Sequence, residues 1–246
     1  DVKCTINGKN YVLSGSEDDR LRDVLYKAGF SSVRDSDDRE GFAGSDTIVF
    51  NGKLKYSNFI LLYQAEGAEI RTAEGLLNGR ELNYVQKAMI SAGVVQSAYN
   101  APAAALILTW LLEKNPNPTR EEIKEVLSGI FIRDAGYEHY YLAVKLATEL
   151  RDYGEYRSEI APSFRPNLNI IGKPCDKIDG ASLVSGEKVF VEDKVPSDAY
   201  CLHVLRSPFS HAYINSIDTS EAEKVDGVEK IITAFNCPDI YYMQAG

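Results

Sequence analysis

The amino-acid sequence predicts an α+β fold built from three consecutive parts. The first part, residues 1 to about 75, has short strand-like segments around Asn-Gly turns, which is typical of a small sheet. The second part, residues 78–151, carries apolar residues at helical spacing between helix-capping residues. From about residue 181 the pattern returns to alternating segments, which indicates a second α+β unit.

The first part predicts a hairpin, one helix and a few further strands. Leucine, valine and alanine side chains between residues 20 and 28 share one helical face, and Gly29 suits the C-cap of that helix. The predicted strands are residues 2–7, 11–14, 47–50, 69–72 and a short segment near 58–63.

The second part predicts a four-helix bundle, because its helices are joined by short connections. Asn100 is a predicted N-cap, and Thr119 with Glu122 three residues later forms a capping box. The predicted helices are residues 82–96, 100–113, 119–130 and 137–150.

The third part follows a linker. Residues 152–180 are rich in Pro, Gly and polar residues without a sustained period. Strands are then predicted over 198–205, 212–218 and 228–233, with a short helix over 219–224.

Composition excludes several function classes. The 246 residues carry a formal net charge of -9, which argues against nucleic acid or an anionic membrane as a partner. No apolar run reaches the roughly 18 residues that a membrane span needs, and no export signal is recognised. We therefore expect a cytoplasmic location. The four cysteines are scattered, and their favoured interpretation is that of small buried hydrophobic residues.

The segment RDSDDREGFAGSDTIVFNG, residues 34–52, resembles the loop that wraps a [2Fe-2S] cluster in plant-type ferredoxin domains. Gly41, Gly44, the predicted strand and the Asn51-Gly52 turn lie where that loop would place them. The resemblance implies a β-grasp arrangement, with one helix across a mixed sheet.

Further motifs resemble the xanthine dehydrogenase and aldehyde oxidoreductase family of molybdenum hydroxylases. VQSAYNAP at 95–102 and GIFIRDAGY at 129–137 are similar to its helical cluster-binding segments. KIDGA, LRSP, HAYI, IDTS and DGV, between residues 177 and 228, are similar to its α/β hammerhead domain. The implied domains are a β-grasp ferredoxin-like domain (1–76), a four-helix [2Fe-2S]-binding-like domain (77–151), a linker (152–180) and the start of the hammerhead (181–246).

The cluster ligands of that family are cysteines, and none stands at the matching positions here. The eight positions hold Asp38, Ala43, Asp46, Asn58, Ser97, Asn100, Ile132 and Asp134. Because iron in such clusters is held by thiolates, we expect [2Fe-2S] to be absent and this chain to hold no cofactor. We also expect hydrogen bonds from Asp38, Asp46 and Asn58 to hold the loop in place.

Other chemical readings of the sequence are weaker. Asp35, Asp37, Asp38 and Asp46 suit a hard cation, but they lack EF-hand spacing and a solvated acidic loop is favoured. The resemblance implies that Gln96 reaches molybdopterin; otherwise it is a polar residue near a helix end. The remaining conspicuous side chains are interpreted as packing or surface residues: His139, His203, His211, Arg206, Asp218 and Trp110.

The leading hypothesis is therefore a structural scaffold. The chain would be the N-terminal portion, or a subunit, of a molybdenum-hydroxylase-like protein, with molybdopterin and catalysis in a partner chain that carries the remaining domains. A homodimer of the assembly is a further expectation. One alternative is a still active molybdopterin oxidoreductase or non-redox enzyme with catalysis in the partner, and another is a non-catalytic binding or sensing module. The end at Gly246 is read as a split gene or a proteolytic cut.

Overall fold

The computed structural model describes residues 1–35, 40–96, 99–158, 168–172, 175–187, 190–191, 194–196 and 198–238. It comprises two compact units, Asp1–Pro196 and Ser197–Gly246. No helix among the described residues is long and apolar enough to cross a bilayer.

The first unit begins with a five-stranded mixed sheet. Its strands are β1 (Val2–Ile6), β2 (Lys9–Leu13), β3 (Thr47–Phe50), β4 (Lys53–Tyr56) and β5 (Glu69–Arg71), in the order β2-β1-β5-β3-β4. β1 and β5 are parallel and the other pairs are antiparallel. Both predicted Asn-Gly turns are present, with all four residues at positive φ, which the two-residue hairpin turn requires.

One helix lies against this sheet, as predicted. Helix α1 (Leu21–Lys27) buries Leu21, Val24 and Leu25 in a core that also contains Ile6 and Ile48. Burial of these aliphatic side chains stabilises the sheet and the helix together.

The strand predicted near residues 58–63 is wrong. The chain forms 3₁₀ helices at Ser57–Phe59 and Leu62–Ala65, and the strand β4 precedes them. The backbone N–H groups of Ser57 and Asn58 donate to the carbonyl and carboxylate oxygens of Asp46, so they do not form a strand ladder.

The helical region contains α2 (Tyr84–Ser91), α3 (Ala101–Lys114), α4 (Arg120–Leu127) and α5 (Tyr137–Tyr153). They share a second core, and Trp110 packs against it as predicted. Helix α2 is shorter than predicted, because Asn83 caps its start and Gly93, at φ 70°, follows its end. The capping box of Thr119 and Glu122 is confirmed, whereas the side chain of Asn100 makes no cap bond to α3.

The third region departs most from prediction. Residues 180–185 form helix α6 (Gly180–Ser185) instead of starting a strand, because Leu183 and Val184 are buried in the helical core. In the second unit, the described residues between 198 and 238 contain a 3₁₀ turn (Ala222–Lys224) but no strand. The strands predicted at 198–205, 212–218 and 228–233 are therefore not formed. An extended segment becomes a strand when it pairs with another one, and these segments pair with no other described segment.

The cysteine prediction is correct for Cys4 alone. Cys4 is buried in the sheet, where burial raises the pKa of its thiol. Cys175, Cys201 and Cys237 are exposed free thiols rather than core residues.

Candidate functional site

The candidate site is the loop at residues 40–46 and the side chains beneath it. Gly41 and Gly44 both have positive φ, at 88° and 64°. A Cβ at Gly44 would lie 2.4 Å from the carbonyl oxygen of Gly129, so a glycine is required for this approach. The loop therefore lies against the segment that connects α4 and α5. This contact joins the ferredoxin-like loop to the segment 129–137 that resembles the second cluster-binding region.

Asp46 holds the base of the loop. Its side chain is fully buried, and its Oδ2 accepts a hydrogen bond of 2.7 Å from the backbone N–H of Asn58. The Ser57 hydroxyl donates to the Asp46 carbonyl oxygen at 2.8 Å. Burial raises the pKa of the Asp46 carboxyl, and the hydrogen bonds that its Oδ2 accepts from the Asn58 N–H and, at 3.5 Å, from the Ser57 hydroxyl oppose the rise. The prediction that Asp46 holds the loop by a backbone hydrogen bond is confirmed; Asp38 lies outside the described residues.

Asn58 is also buried, but its side chain contacts another side chain instead of the backbone. Its Nδ2 donates to Oδ1 of Asp35 at 3.4 Å. The Asp46 Oδ1 and Asn58 Oδ1 atoms have no hydrogen-bond partner in the described part of the chain. Ala43 is half-buried and contributes no polar atom.

The second set of predicted positions centres on Asn100. This residue is fully buried at the start of α3, and its amide atoms make no hydrogen bond to any described residue. Burial raises the pKa of the nearby Tyr140 hydroxyl. Ile132 and Asp134 are half-buried in the connection before α5, and Ser97 lies outside the described residues.

Gln96 is exposed at the end of the connection that follows α2. Its Nε2 donates to the Gly93 carbonyl oxygen at 3.2 Å.

No group of three or more His, Cys, Asp or Glu residues within the described ranges could hold a metal ion. His139, His203 and His211 are exposed. Of the acidic residues considered for a cation, Asp37 and Asp38 lie outside the described residues.

Sequence reasoning missed Arg34, which joins three segments beside the loop. Its side chain is 5% exposed, and its Nη2 donates to the Glu187 carbonyl oxygen at 3.1 Å. The guanidinium lies 4.5 Å from the ring centre of Phe190 and 5.7 Å from that of Tyr99. These partners are 153, 156 and 65 positions away along the chain, so no local pattern could have identified them.

Two family models match the chain. Residues 72–145 match the [2Fe-2S] binding domain. Residues 185–245 match the a/b hammerhead domain of aldehyde oxidase and xanthine dehydrogenase. The predicted domain limits at 76, 151 and 180 stay predictions.

Several known proteins are similar to the chain. It is 47% identical over 245 residues to the probable hypoxanthine oxidase XdhD of Escherichia coli, a match that covers 100% of this chain and 26% of that protein. It is 34% identical over 149 residues to the nicotinate dehydrogenase small FeS subunit of Eubacterium barkeri, covering 60% of this chain and 94% of the subunit. The solved aldehyde oxidoreductase of Desulfovibrio desulfuricans superposes with a TM-score of 0.75 and 29% identity, over 94% of this chain and 26% of that one.

These matches contradict the predicted absence of [2Fe-2S]. The matched domain is defined by [2Fe-2S] binding, and the subunit from Eubacterium barkeri is an FeS subunit, so the family to which they point binds such clusters. The prediction of no cofactor is wrong for that reason. Asp46, Asn58 and Asn100 offer oxygen and amide atoms, which do not fit the thiolate ligation of a cluster. No step of the function proposed below therefore passes through a cluster.

Proposed function

Because this chain belongs to the xanthine dehydrogenase and aldehyde oxidoreductase family, we propose that it is the N-terminal portion of a molybdenum hydroxylase. In this proposal residues 1–151 form a structural scaffold that covers the molybdopterin-binding part. Residues from about 185 onward begin that part, and catalysis takes place there. The observation that carries the proposal is the 47% identity along the whole chain to a relative of which this chain spans about a quarter.

The contacts between the sheet and the helices support a scaffold role. The Phe131 N–H donates to the Phe42 carbonyl oxygen at 2.7 Å, and the Tyr56 hydroxyl donates to the Gly129 carbonyl oxygen at 2.8 Å. The indole N–H of Trp110 donates to the Gly52 carbonyl oxygen at 3.0 Å. These bonds fix the two parts relative to each other, so they would present one rigid face to a partner.

The second unit supports assembly with further domains. Leu202, Leu205 and Tyr213 are more than four-fifths exposed on segments without a strand partner. Exposed apolar residues of this density mark surfaces that become buried in an assembly. The proposed partner is the remainder of the molybdenum-binding domains, whether on the same polypeptide or on a separate subunit.

We further propose that Gln96 contacts molybdopterin. The side chain is exposed, and an amide can both donate to and accept from the polar edge of a pterin. A Gln96→Ala variant of the complete protein should lose pterin or bind it more weakly, whereas Gln64→Ala, at an amide on the sheet region, should retain it. Equal pterin content in both variants would remove Gln96 from the site.

The substrate class that we propose is a purine such as hypoxanthine, after the relative with 47% identity. A polypeptide that joins this chain to the remaining three-quarters of the relative should contain molybdenum and pterin. It should also reduce an artificial electron acceptor when hypoxanthine is added. Normal metal and pterin content without purine-dependent reduction would contradict the substrate class. Absence of both metal and pterin would contradict the assignment as a molybdenum hydroxylase.

A further inference from the structure

Residues 180–187 together with Phe190, which we call the strap, contact both parts of the scaffold. The strap consists of helix α6 and the residues that follow it. A six-residue helix is too short to be stable by itself, so its contacts must hold it in place. Leu183 and Val184 supply them, because both are buried in the helical core.

Helix α2 is shaped to receive the strap. Gly180 approaches α2 so closely that an added Cβ would lie 3.1 Å from a methyl carbon of Ile90. The Gln86 side chain is fully buried, and its Nε2 donates to the Val184 carbonyl oxygen at 3.4 Å. The last carbonyl groups of a helix have no partner within the helix. The Gln86 amide therefore supplies a hydrogen-bond donor to one of them at the end of α6.

The other end of the strap binds the turn after α1. The Ser31 hydroxyl donates to the Gly186 carbonyl oxygen at 2.8 Å, and Arg34 donates to that of Glu187. Gly186 has φ 83°, and an added Cβ there would lie 2.4 Å from Cβ of Ser32. The groove therefore accepts a helix that ends in glycine and rejects a larger residue at this point.

The described residues immediately before the strap contact it only locally, because the Gly180 and Leu183 N–H groups donate to the carbonyl oxygens of Lys177 and Asp179. Residues 168–172 and 175–179 are exposed, so the described linker residues do not press the strap into its groove. The long-range contacts of the strap in the described part of the chain are therefore made by its own side chains and backbone.

We infer that the strap is an autonomous docking peptide, and that its groove is an interaction surface for the first residues of a molybdenum-binding chain. The segment that fits this groove is a short apolar helix that ends at a glycine with positive φ. An aromatic residue after that glycine packs against the guanidinium of Arg34. The identity of this partner chain rests on the proposed function. A small subunit that ends before the strap would present the same groove to a separate chain.

The test uses the full chain with two inserted cleavage sequences for one specific protease, after Pro162 and after Pro196. After cleavage, the peptide 163–196 should stay bound to the fragment 1–162 in native mass spectrometry. A peptide that is released from the otherwise unchanged chain would overturn the inference. The measurement involves neither metal nor purine, so its failure is distinct from failure of the proposed function.

Two glycine variants provide a matched comparison. Gly186→Ala should weaken retention of the peptide roughly ten-fold or more, because the methyl group meets Ser32. Gly154→Ala should leave retention unchanged, since Gly154 also ends a helix at positive φ but has nothing within 4 Å of an added Cβ. Val184→Ala, which cannot introduce a clash, should also weaken retention. If the peptide stayed bound in both Gly186→Ala and Val184→Ala, the groove would not hold the strap as inferred. The same conclusion would follow if Gly154→Ala released the peptide as much as Gly186→Ala does.

Discussion

Asp46 has two opposite effects on stability: its hydrogen bond holds the loop in place, and the burial of its carboxylate is unfavourable. Its carboxyl accepts a backbone hydrogen bond that fixes the loop, but burial disfavours its charged form. The family resemblance placed Asp46 at a position that holds a cluster cysteine in the family. Its burial and its raised pKa depend on neighbours more than ten positions away, and they required the structure.

The first prediction is that Asp46→Asn stabilises the chain at neutral pH. Because the pKa of Asp46 is raised, its contribution to stability is full below the ordinary aspartate pKa and is lost as pH rises through the raised value. The amide keeps an acceptor for Asn58 and cannot ionise. We expect urea unfolding to show a higher free energy of unfolding for Asp46→Asn at pH 7.5, and a difference that falls toward zero near pH 4.

Asp226→Asn is the control for this prediction, because Asp226 is exposed. It should change stability little at either pH. If Asp46→Asn were destabilising at pH 7.5, the carboxylate would be making a favourable contact that outweighs its burial.

At the scale of elements, the sequence identified helix α4 well because its start is defined locally. Glu122 N–H donates to the Thr119 hydroxyl at 3.2 Å, and Glu122 Oε2 accepts from the Thr119 N–H at 2.7 Å. All these atoms lie within four residues, so the pattern alone predicts the cap. The strand predicted at 58–63 failed because its backbone N–H groups bond to residues far from that window: Asn58 donates to Asp46, Leu62 to Asp19 and Tyr63 to Glu17.

The second prediction is that Thr119→Ala lowers the free energy of unfolding by about 1 kcal/mol, since it removes the N-cap of α4. Thermal or urea unfolding would measure it. Thr148→Ala serves for comparison, because its hydroxyl bonds back to the Lys145 carbonyl in its own helix. A loss no larger than that of Thr148→Ala would mean that α4 is held by packing rather than by its cap.

The third prediction concerns the approach of the loop to the helical region. Gly44→Ala should destabilise the chain by about 1–3 kcal/mol more than Gly52→Ala. Both glycines have positive φ, but an added Cβ meets the Gly129 carbonyl at Gly44 and nothing within 4 Å at Gly52. Equal losses in unfolding experiments would show that the loop can move away from Gly129 without cost.

At the scale of the whole molecule, the two units differ in how completely they are folded. The first unit has two apolar cores, whereas the second exposes large apolar side chains on segments that pair with no strand among residues 198–238. The second unit also matches the hammerhead model, whose strand pattern is visible in the sequence. This contrast is expected if its pairing partners lie elsewhere in the assembly.

The fourth prediction is a change in amide hydrogen exchange of the second unit. Residues 200–205 and 212–218 should exchange rapidly in this chain, because no described strand pairs with them. In a fusion with the downstream three-quarters of the Escherichia coli relative, their exchange should slow by roughly ten-fold or more as they join a sheet. Residues 84–91 of α2 provide the internal reference. Unchanged exchange at 200–205 and 212–218 would show that these segments do not become strands in the larger protein.

The sequence by itself determined the sheet followed by helices in the first unit, the two Asn-Gly turns, the cap of α4 and the family resemblance. These features depend on spacing and on residue types within short windows, which are visible without a structure. Only the tertiary structure decided that Asp46 is buried, that residues 180–185 form a helix, and that Arg34 joins the strap to the loop. Each of these depends on contacts between residues far apart in the chain, since burial and long-range hydrogen bonds override local propensity.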